Sequence, residues 1–117
     1  MAREIVTLGI VELVNRDRIA AGCLPVGTDP ELQRQSRVQA TRQAAEDRMF
    51  HSNGVTGFNT WGENVAAGYD SAVAVHAAWM DSPGHRANIL DCDFVWMGIA
   101  ASEGASGTIY WTEQFGG

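Results

Sequence analysis

The sequence contains no lysine, and its eight basic residues are arginines scattered from Arg3 to Arg86. Fourteen acidic residues outnumber them and give a net charge of −6. Nucleic-acid binding depends on clustered Lys and Arg side chains that neutralise phosphates. The composition therefore argues against a nucleic-acid ligand and against an anionic membrane surface.

Long apolar runs are also absent, because Gly, His or Asp interrupts each one well short of the roughly 20 residues of a membrane-spanning helix. The opening MAREIVTLGI lacks the basic start, apolar stretch and small-residue cleavage site of a signal peptide. From 117 residues and 45% hydrophobic content we expect one globular domain over residues 1–117, with no transmembrane segment.

Cysteine is scarce, with only Cys23 and Cys92 in the chain. An even number in a small domain permits a disulfide, which would indicate an oxidising compartment. Two unrelated free thiols are the alternative, and composition does not decide between them.

Apolar spacing predicts two helices in the first half of the chain. The first runs from Glu4 to Ala21 and is ended by Gly22. The second follows an N-cap at Thr28 or Asp29, places Pro30 at the first helical position and extends through Phe50. Its predicted buried stripe is thin: Leu32, Val38, Ala45 and Met49.

The second half of the chain predicts two short helices and then two strands. Asp70 is the predicted cap of a helix over 71–80, and Ser82-Pro83 begins another that ends at Leu90. Residues 94–101 and 108–115 are rich in β-branched and aromatic side chains and flank SEGASG, which is typical of an antiparallel hairpin. Helices followed by a hairpin favour an α+β domain.

His51, Glu63 and His85 are the candidate site residues. Their separations of 12 and 22 residues match no local metal-binding motif. His85 falls in the first turn of a predicted helix, where the helix dipole favours a neutral imidazole that can bind a metal or accept a proton. Glu63, in a predicted Gly-Glu-Asn turn, could complete an open zinc set of two histidines, one carboxylate and water. Separate surface or capping roles are the alternative.

Other polar and aromatic residues have simpler interpretations. His76 lies in the middle of a predicted helix and is expected to pack or to face solvent. Ser52 adjoins His51 but belongs to no G-x-S-x-G nucleophile motif. The four tryptophans are expected to lie mostly in the core: Trp61, Trp79, Trp96 and Trp111.

Four segments resemble the CAP superfamily, the group of cysteine-rich secretory, antigen 5 and pathogenesis-related proteins. They are His51-Ser52, GENVAAG over 62–68, AWMDSPGHRANIL over 78–90 and YWTEQFG over 110–116. The last two are most similar to the bacterial extracellular branch. With an opening that also resembles these domains, the similarity covers nearly the whole chain.

The resemblance implies an α-β-α sandwich, with helices on both sides of a small antiparallel sheet. It also implies a central cleft lined by two histidines and one or two acids, here His51, His85 and Glu63. Many members bind a divalent metal through the two histidines, and members are typically secreted or extracellular. In the bacterial branch, cysteines placed like Cys23 and Cys92 would pair.

The chain departs from the family pattern at the cleft. A second acid often follows the first histidine, but HSNGVTGFNTWG contains none. Glu113 stands where bacterial relatives tend to carry glutamine, and strand alternation places it with Trp111 and Phe115. Glu113 is thus a candidate to supply the missing charge from another direction.

Three functions are compatible with these residues. The first, which we favour, is a secreted interaction domain whose cleft binds a divalent metal, zinc being one candidate, and a small-molecule, lipid or protein ligand. The second is a metal-assisted hydrolase or protease, in which His51 and His85 hold zinc and Glu63 orients or deprotonates water. The third is structural, with Glu63 and His85 fixing loops. The sequence shows no oxyanion hole to favour catalysis.

Overall fold

Four helices and four strands succeed one another over residue 7 and residues 9–117, the part of the chain that the computed structural model describes. The helices are α1 (Ile10–Ala20), α2 (Pro30–Glu46), α3 (Ala72–Met80) and α4 (Pro83–Ile89). The strands are β1 (Gly27–Thr28), β2 (Trp61–Ala67), β3 (Trp96–Glu103) and β4 (Ile109–Gly116).

The strands form one sheet in the order β1-β3-β4-β2. Strand β4 pairs antiparallel with β2 and β3, while the two-residue β1 is parallel to β3. The predicted antiparallel sheet is therefore correct for three strands, and β1 makes the sheet mixed. Strand β2 lies at an edge, in register with β4 through Glu63 opposite Gln114 and Asn64 opposite Glu113.

The two faces of the sheet are covered by different helices, which confirms the predicted α-β-α sandwich. Side chains of α2 bond to Thr112 and Gln114 on one face. The alternate β4 residues Trp111 and Phe115 join α1, α3 and α4 in the apolar core on the other. Gly98 lies where α2 crosses β3, and a side chain there would collide with the backbone of Leu32.

Helix α1 differs from its prediction at both ends. Residues 4–6 and 8 lie outside the described residues, and the helix begins at Ile10 after Gly9, whose φ is 94°. It ends at Ala20, and Gly22 follows with a φ of 90°, as its glycine character predicts. Ile19, near its end, is 60% exposed because it points away from the core.

The predicted apolar stripe of α2 is wrong beyond Leu32. Val38, Ala45 and Met49 are exposed, and the buried face consists largely of small or amide side chains: Ser36, Gln39, Ala40, Gln43 and Ala44. The prediction rests on hydrophobicity, whereas this face packs on a polar layer of the sheet. The helix ends at Glu46 rather than Phe50, because Asp47 adopts a left-handed conformation. Its start is as predicted, since Asp29 accepts from the Leu32 N–H.

The remaining elements include one correction and one omission. Ser71, not Asp70, caps α3 by accepting from the Ala74 N–H at 3.1 Å. The hairpin β3–β4 is confirmed, but β2 is not among the predicted elements, and Glu63 lies in this strand rather than in a turn. Gly-Glu-Asn is typical of turns; here Gly62 is required because a side chain would meet Asn88.

One end of the core is tied by a disulfide and a buried arginine. Cys23 and Cys92 are bonded, joining the segments that follow α1 and α4. Arg18, fully buried, donates from its guanidinium to four backbone carbonyls, those of Leu24, Ile89, Asp91 and Phe94. Trp79 and Trp111 are core residues as expected, whereas Trp61 and Trp96 are 47% and 42% exposed.

Candidate functional site

His51 is placed by two buried glutamines of α2. The Phe50 N–H donates to Gln43 Oε1 at 3.0 Å, and Gln39 Nε2 donates to the Phe50 carbonyl at 2.7 Å. Both backbone groups of Phe50 are therefore satisfied by one helix. These two hydrogen bonds fix the course of the chain after α2 and bring the next residue, His51, against strand β2.

Glu63 is a buried carboxylate whose two oxygens are both occupied. Oε1 accepts from His51 Nδ1 at 2.8 Å and from the Ser52 N–H at 2.9 Å, and Oε2 accepts from Gln114 Nε2 at 2.8 Å. Burial alone would raise the pKa of Glu63, but the hydrogen bonds from Ser52, Gln114 and His51 outweigh it and lower the pKa. Glu63 therefore remains ionised and can only accept hydrogen bonds.

This carboxylate determines the tautomer of His51. Because Glu63 only accepts, Nδ1 of His51 carries the proton, and the lone pair lies on Nε2. The imidazole is 61% exposed, so Nε2 is available to a solute. The pair has the carboxylate–histidine arrangement that orients metal-binding imidazoles.

His85 enters from the other side of β2, in the first turn of α4. Its Nδ1 lies 2.9 Å from Ser82 Oγ, which leaves Nε2 as the nitrogen that can bind a metal. Burial, and secondly the charge of His51, lower the pKa of His85. The imidazole is therefore neutral at physiological pH.

The residues present fit a metal with two protein ligands better than one with three. Within the described part of the chain, no three His, Cys, Asp or Glu side chains converge to enclose an ion. Nε2 of His51 and Nε2 of His85 are the candidate direct ligands, while Glu63 stands behind His51. Glu63 already accepts hydrogen bonds from His51, Ser52 and Gln114, and the three-ligand zinc set suggested by the sequence stays a prediction.

Glu113 does not join this site. Strand alternation places it on the sheet face opposite Glu63, where Asn64 Nδ2 donates to its Oε1 at 2.9 Å. It is completely buried, and this burial raises its pKa to about 8. Glu113 cannot therefore replace the acid that the cleft lacks.

Two further residues have structural roles. His76 is buried between α1 and α3, with Nε2 2.7 Å from Asp17 Oδ2, so it packs as the sequence suggested. The Ser52 hydroxyl accepts from the Gly54 N–H, and its backbone holds Glu63.

Sequence reasoning missed the polar residues that build the site. They are amides on α2, β2, α4 and β4: Gln39, Gln43, Asn64, Asn88 and Gln114. The available signal was their spacing, since Gln39 and Gln43 are one helical turn apart. That signal becomes visible only once the face of α2 that meets the sheet is known.

Two cavities border the segment 49–54. One of about 260 Å³ opens beside His85 and is mainly apolar, with Met49, Val65 and Tyr69 in its walls. The other, about 180 Å³, is polar and contains Ser52, Gln114 and Arg42. The segment 49–54 thus borders an apolar cavity at one end and a polar one at the other.

The sandwich fold of this domain also appears in known proteins. Residues 11–115 match the model of the CAP, or cysteine-rich secretory protein, family. The chain belongs to this family.

Relatives with known sequences or structures support this family assignment. The chain is 33% identical over 118 residues to the protein YkwD of Bacillus subtilis (strain 168), covering 91% of this chain and 45% of YkwD. An outer surface protein of Borrelia burgdorferi has a similar fold, with a TM-score of 0.81, 18% identity and coverage of 99% of this chain and 98% of that one.

A second solved structure is an extracellular protein of Bacillus anthracis that contains an SCP domain. Its TM-score is 0.75 at 22% identity, over 91% of this chain and 38% of that chain. The chain spans less than half the length of YkwD and of this protein. In the described residues, no helix has the length and apolarity needed to cross a membrane.

Proposed function

We propose that this CAP domain is a secreted, non-catalytic interaction module whose cleft binds a divalent metal through Nε2 of His51 and Nε2 of His85. The observation that carries the proposal is the 2.8 Å contact between His51 Nδ1 and Glu63 Oε1. It leaves an exposed imidazole with a fixed tautomer and a free lone pair. A histidine with only a surface role needs no buried, ionised carboxylate behind it.

Zinc is the first metal to test. Imidazole nitrogen suits Zn²⁺, Cu²⁺ and Ni²⁺, and Zn²⁺ is the one that most often uses histidine in four-coordinate sites with open positions. Two protein ligands would leave two positions to solvent or to a donor group of a bound partner. An open metal of this kind supports a role in binding, because the ligand itself completes the coordination.

The neighbouring cavity indicates the kind of ligand. Its volume of about 260 Å³ is just below the roughly 300–1,000 Å³ of pockets that hold drug-sized molecules. An apolar side chain or a short acyl segment would fit, next to a donor group on the metal. A small-molecule, lipid or protein ligand could each present such a pair of groups.

Secretion is supported by the disulfide and by the relatives. The Cys23–Cys92 bond is stable in oxidising compartments and rare in the cytosol. The similar protein of Bacillus anthracis is extracellular, and that of Borrelia burgdorferi is an outer surface protein.

The proposal is tested by titrating the purified domain with zinc in a calorimeter. Wild type should bind one ion, and the His51→Ala/His85→Ala double variant should not. His76→Gln is the matched control, since it removes the histidine that lies outside the cleft. Absence of binding in the wild type, or equal binding in the double variant, would overturn the proposal. A double variant that loses stability but keeps zinc affinity would favour the structural role.

A metal-assisted hydrolase is the second candidate, favoured by the same His51–Glu63 pair. A buried carboxylate beside a metal-binding imidazole is also a candidate general base. In this version a metal held by His51 and His85 would supply Lewis-acid chemistry, and Glu63 would orient or deprotonate water. Hydrolysis of peptide and ester libraries by the zinc-loaded wild type, lost in Glu63→Gln, would establish catalysis instead.

A further inference from the structure

A buried set of amides connects β4, β2 and α4 beside the candidate metal centre. Asn64 Nδ2 donates to Glu113 Oε1 at 2.9 Å and to the His85 carbonyl at 3.1 Å. Asn64 Oδ1 accepts from Asn88 Nδ2 at 2.9 Å, and the same Nδ2 donates to the Glu63 carbonyl at 3.3 Å. Two amides thus bond the backbone of both His85 and Glu63.

We propose that Glu113 is a positioning residue. It acts through Asn64 to hold the backbone of His85 at a fixed position relative to Glu63, and so sets the geometry of the metal site. The inference rests on the proposed function, because the distance between His85 and the His51–Glu63 pair matters only if one ligand binds both histidines. Glu113 itself touches neither histidine and lies on the opposite face of the sheet from Glu63.

The amide of Asn64 has one orientation that satisfies all its neighbours. Glu113 Oε1 and the His85 carbonyl both need a donor, while Asn88 needs an acceptor. Without an acceptor at position 113, one N–H of Asn64 would be buried and unbonded. Rotating the amide would then direct its oxygen at the His85 carbonyl, which would push α4 away from β2.

No charged group of the described residues compensates Glu113. On this face, Arg18 of α1 bonds to backbone carbonyls, His76 of α3 pairs with Asp17, and Nδ1 of His85 in α4 bonds to Ser82. Oε2 of Glu113 has no hydrogen-bond partner among these residues.

The protonation state of Glu113 therefore matters to the network. Its pKa of about 8, raised by burial, keeps the carboxyl neutral at pH 7, where Oε1 is an ordinary acceptor. Above pH 8 the carboxylate is ionised without a cation beside it among the described residues, so its burial destabilises the packing around Asn64. The support of Asn64 for His85 should therefore weaken in alkaline solution.

The experiment compares zinc affinity in wild type, Glu113→Gln, Glu113→Leu and Asn15→Ala at pH 7 and pH 9. Glutamine retains the acceptor without a titratable proton, and leucine removes the acceptor. Asn15→Ala is the matched control, because it removes two hydrogen bonds to Val26, far from the cleft. A second measurement follows the imidazole resonances of His85 in zinc-free protein, with those of His76 as the internal reference.

We expect Glu113→Leu to bind zinc about 10–100-fold more weakly than wild type, as for other residues that support a metal ligand. Glu113→Gln should match wild type at pH 7 and exceed it at pH 9. Asn15→Ala should lower the melting temperature without changing zinc affinity. In zinc-free protein, only the Glu113→Leu change should move the His85 resonances.

Equal affinity of Glu113→Leu and wild type, or an equal loss in Asn15→Ala, would overturn the inference. If Glu113→Leu does not fold, wild type is compared with Glu113→Gln. The same pH dependence of zinc affinity in both proteins would then overturn the inference. If wild type binds no zinc, the proposed function fails, and the His85 resonances decide the positioning role separately. A shift in Glu113→Leu alone would support that role, and no shift would overturn it.

Discussion

His51 Nδ1 lies 2.8 Å from Glu63 Oε1, although the imidazole is 61% exposed and the carboxylate side chain only 2%. The buried partner is fixed by Ser52 and Gln114, so its position does not depend on solvent or on the histidine. His51 is consequently held at Nδ1 by Glu63, while its Nε2 faces solvent. This combination leaves Nε2 of His51 exposed to solvent at the edge of β2, which is the feature on which the proposed metal site depends.

We predict that Glu63→Gln weakens zinc binding by about 10–100-fold without unfolding the domain. Glutamine is nearly the same size, but it carries no negative charge, and its NH2 group would face a donor at either His51 or Gln114. Calorimetric titration measures the change. Glu46→Gln, an exposed change at the end of α2, should bind zinc like wild type, and an equal loss there would contradict the prediction.

The raised pKa of Glu113 predicts a stability that decreases with rising pH. The folded protein retains the proton up to about pH 8, whereas the unfolded chain releases it near the ordinary value of 4.5. Its contribution is thus complete below pH 4.5 and is lost as pH rises to 8, by at most about 1.4 kcal/mol per pH unit. Urea unfolding of wild type and Glu113→Gln at pH 5 and pH 8 measures this difference. Parallel curves for the two proteins would contradict it.

Arg18→Met should lower the free energy of unfolding by about 3 kcal/mol or more. The change removes charged hydrogen bonds to four carbonyls and leaves these buried groups without partners. Chemical denaturation provides the measurement. Arg16→Met alters an exposed arginine two residues away and should cost under about 0.5 kcal/mol; similar losses in both variants would refute the role of burial.

Gly98→Ala should destabilise the domain by about 1–3 kcal/mol, because the added methyl group overlaps the backbone of Leu32 in α2. Gly84→Ala is the matched control: a side chain there meets nothing within 4 Å, and alanine favours a helix. Thermal melts of the two variants should move in opposite directions or differ by several degrees. A neutral Gly98→Ala would mean that α2 can shift on the sheet.

Local signals in the sequence were sufficient for most helix ends and for the hairpin. Pro30 after Asp29 begins α2, and Ser82-Pro83 begins α4, because these residues satisfy or remove the free N–H groups of a first turn. The strands β3 and β4 were recognisable from β-branched and aromatic residues around a glycine-containing turn. Each of these signals acts over a few residues.

Strand β2 and the buried face of α2 could not be predicted in this way. Glu63 and Asn64 are polar, yet they lie in an edge strand whose side chains are satisfied by α2, α4 and β4. The amides of Gln39 and Gln43 are buried because their partners, Phe50 and Thr112, come from other parts of the chain. Burial of a polar side chain depends on partners distant in sequence, so local hydrophobicity misplaces it.

The sequence by itself determined the α+β class, the family and the three candidate site residues, since these follow from local propensity and from motifs that stand in the chain. Only the tertiary structure decided how those residues are arranged relative to one another. It placed Glu63 behind His51 and put Glu113 on the opposite face. The physical reason is that strand register and helix packing choose the neighbours of each polar atom, and those neighbours determine whether a carboxylate is ionised, neutral or free to bind a metal.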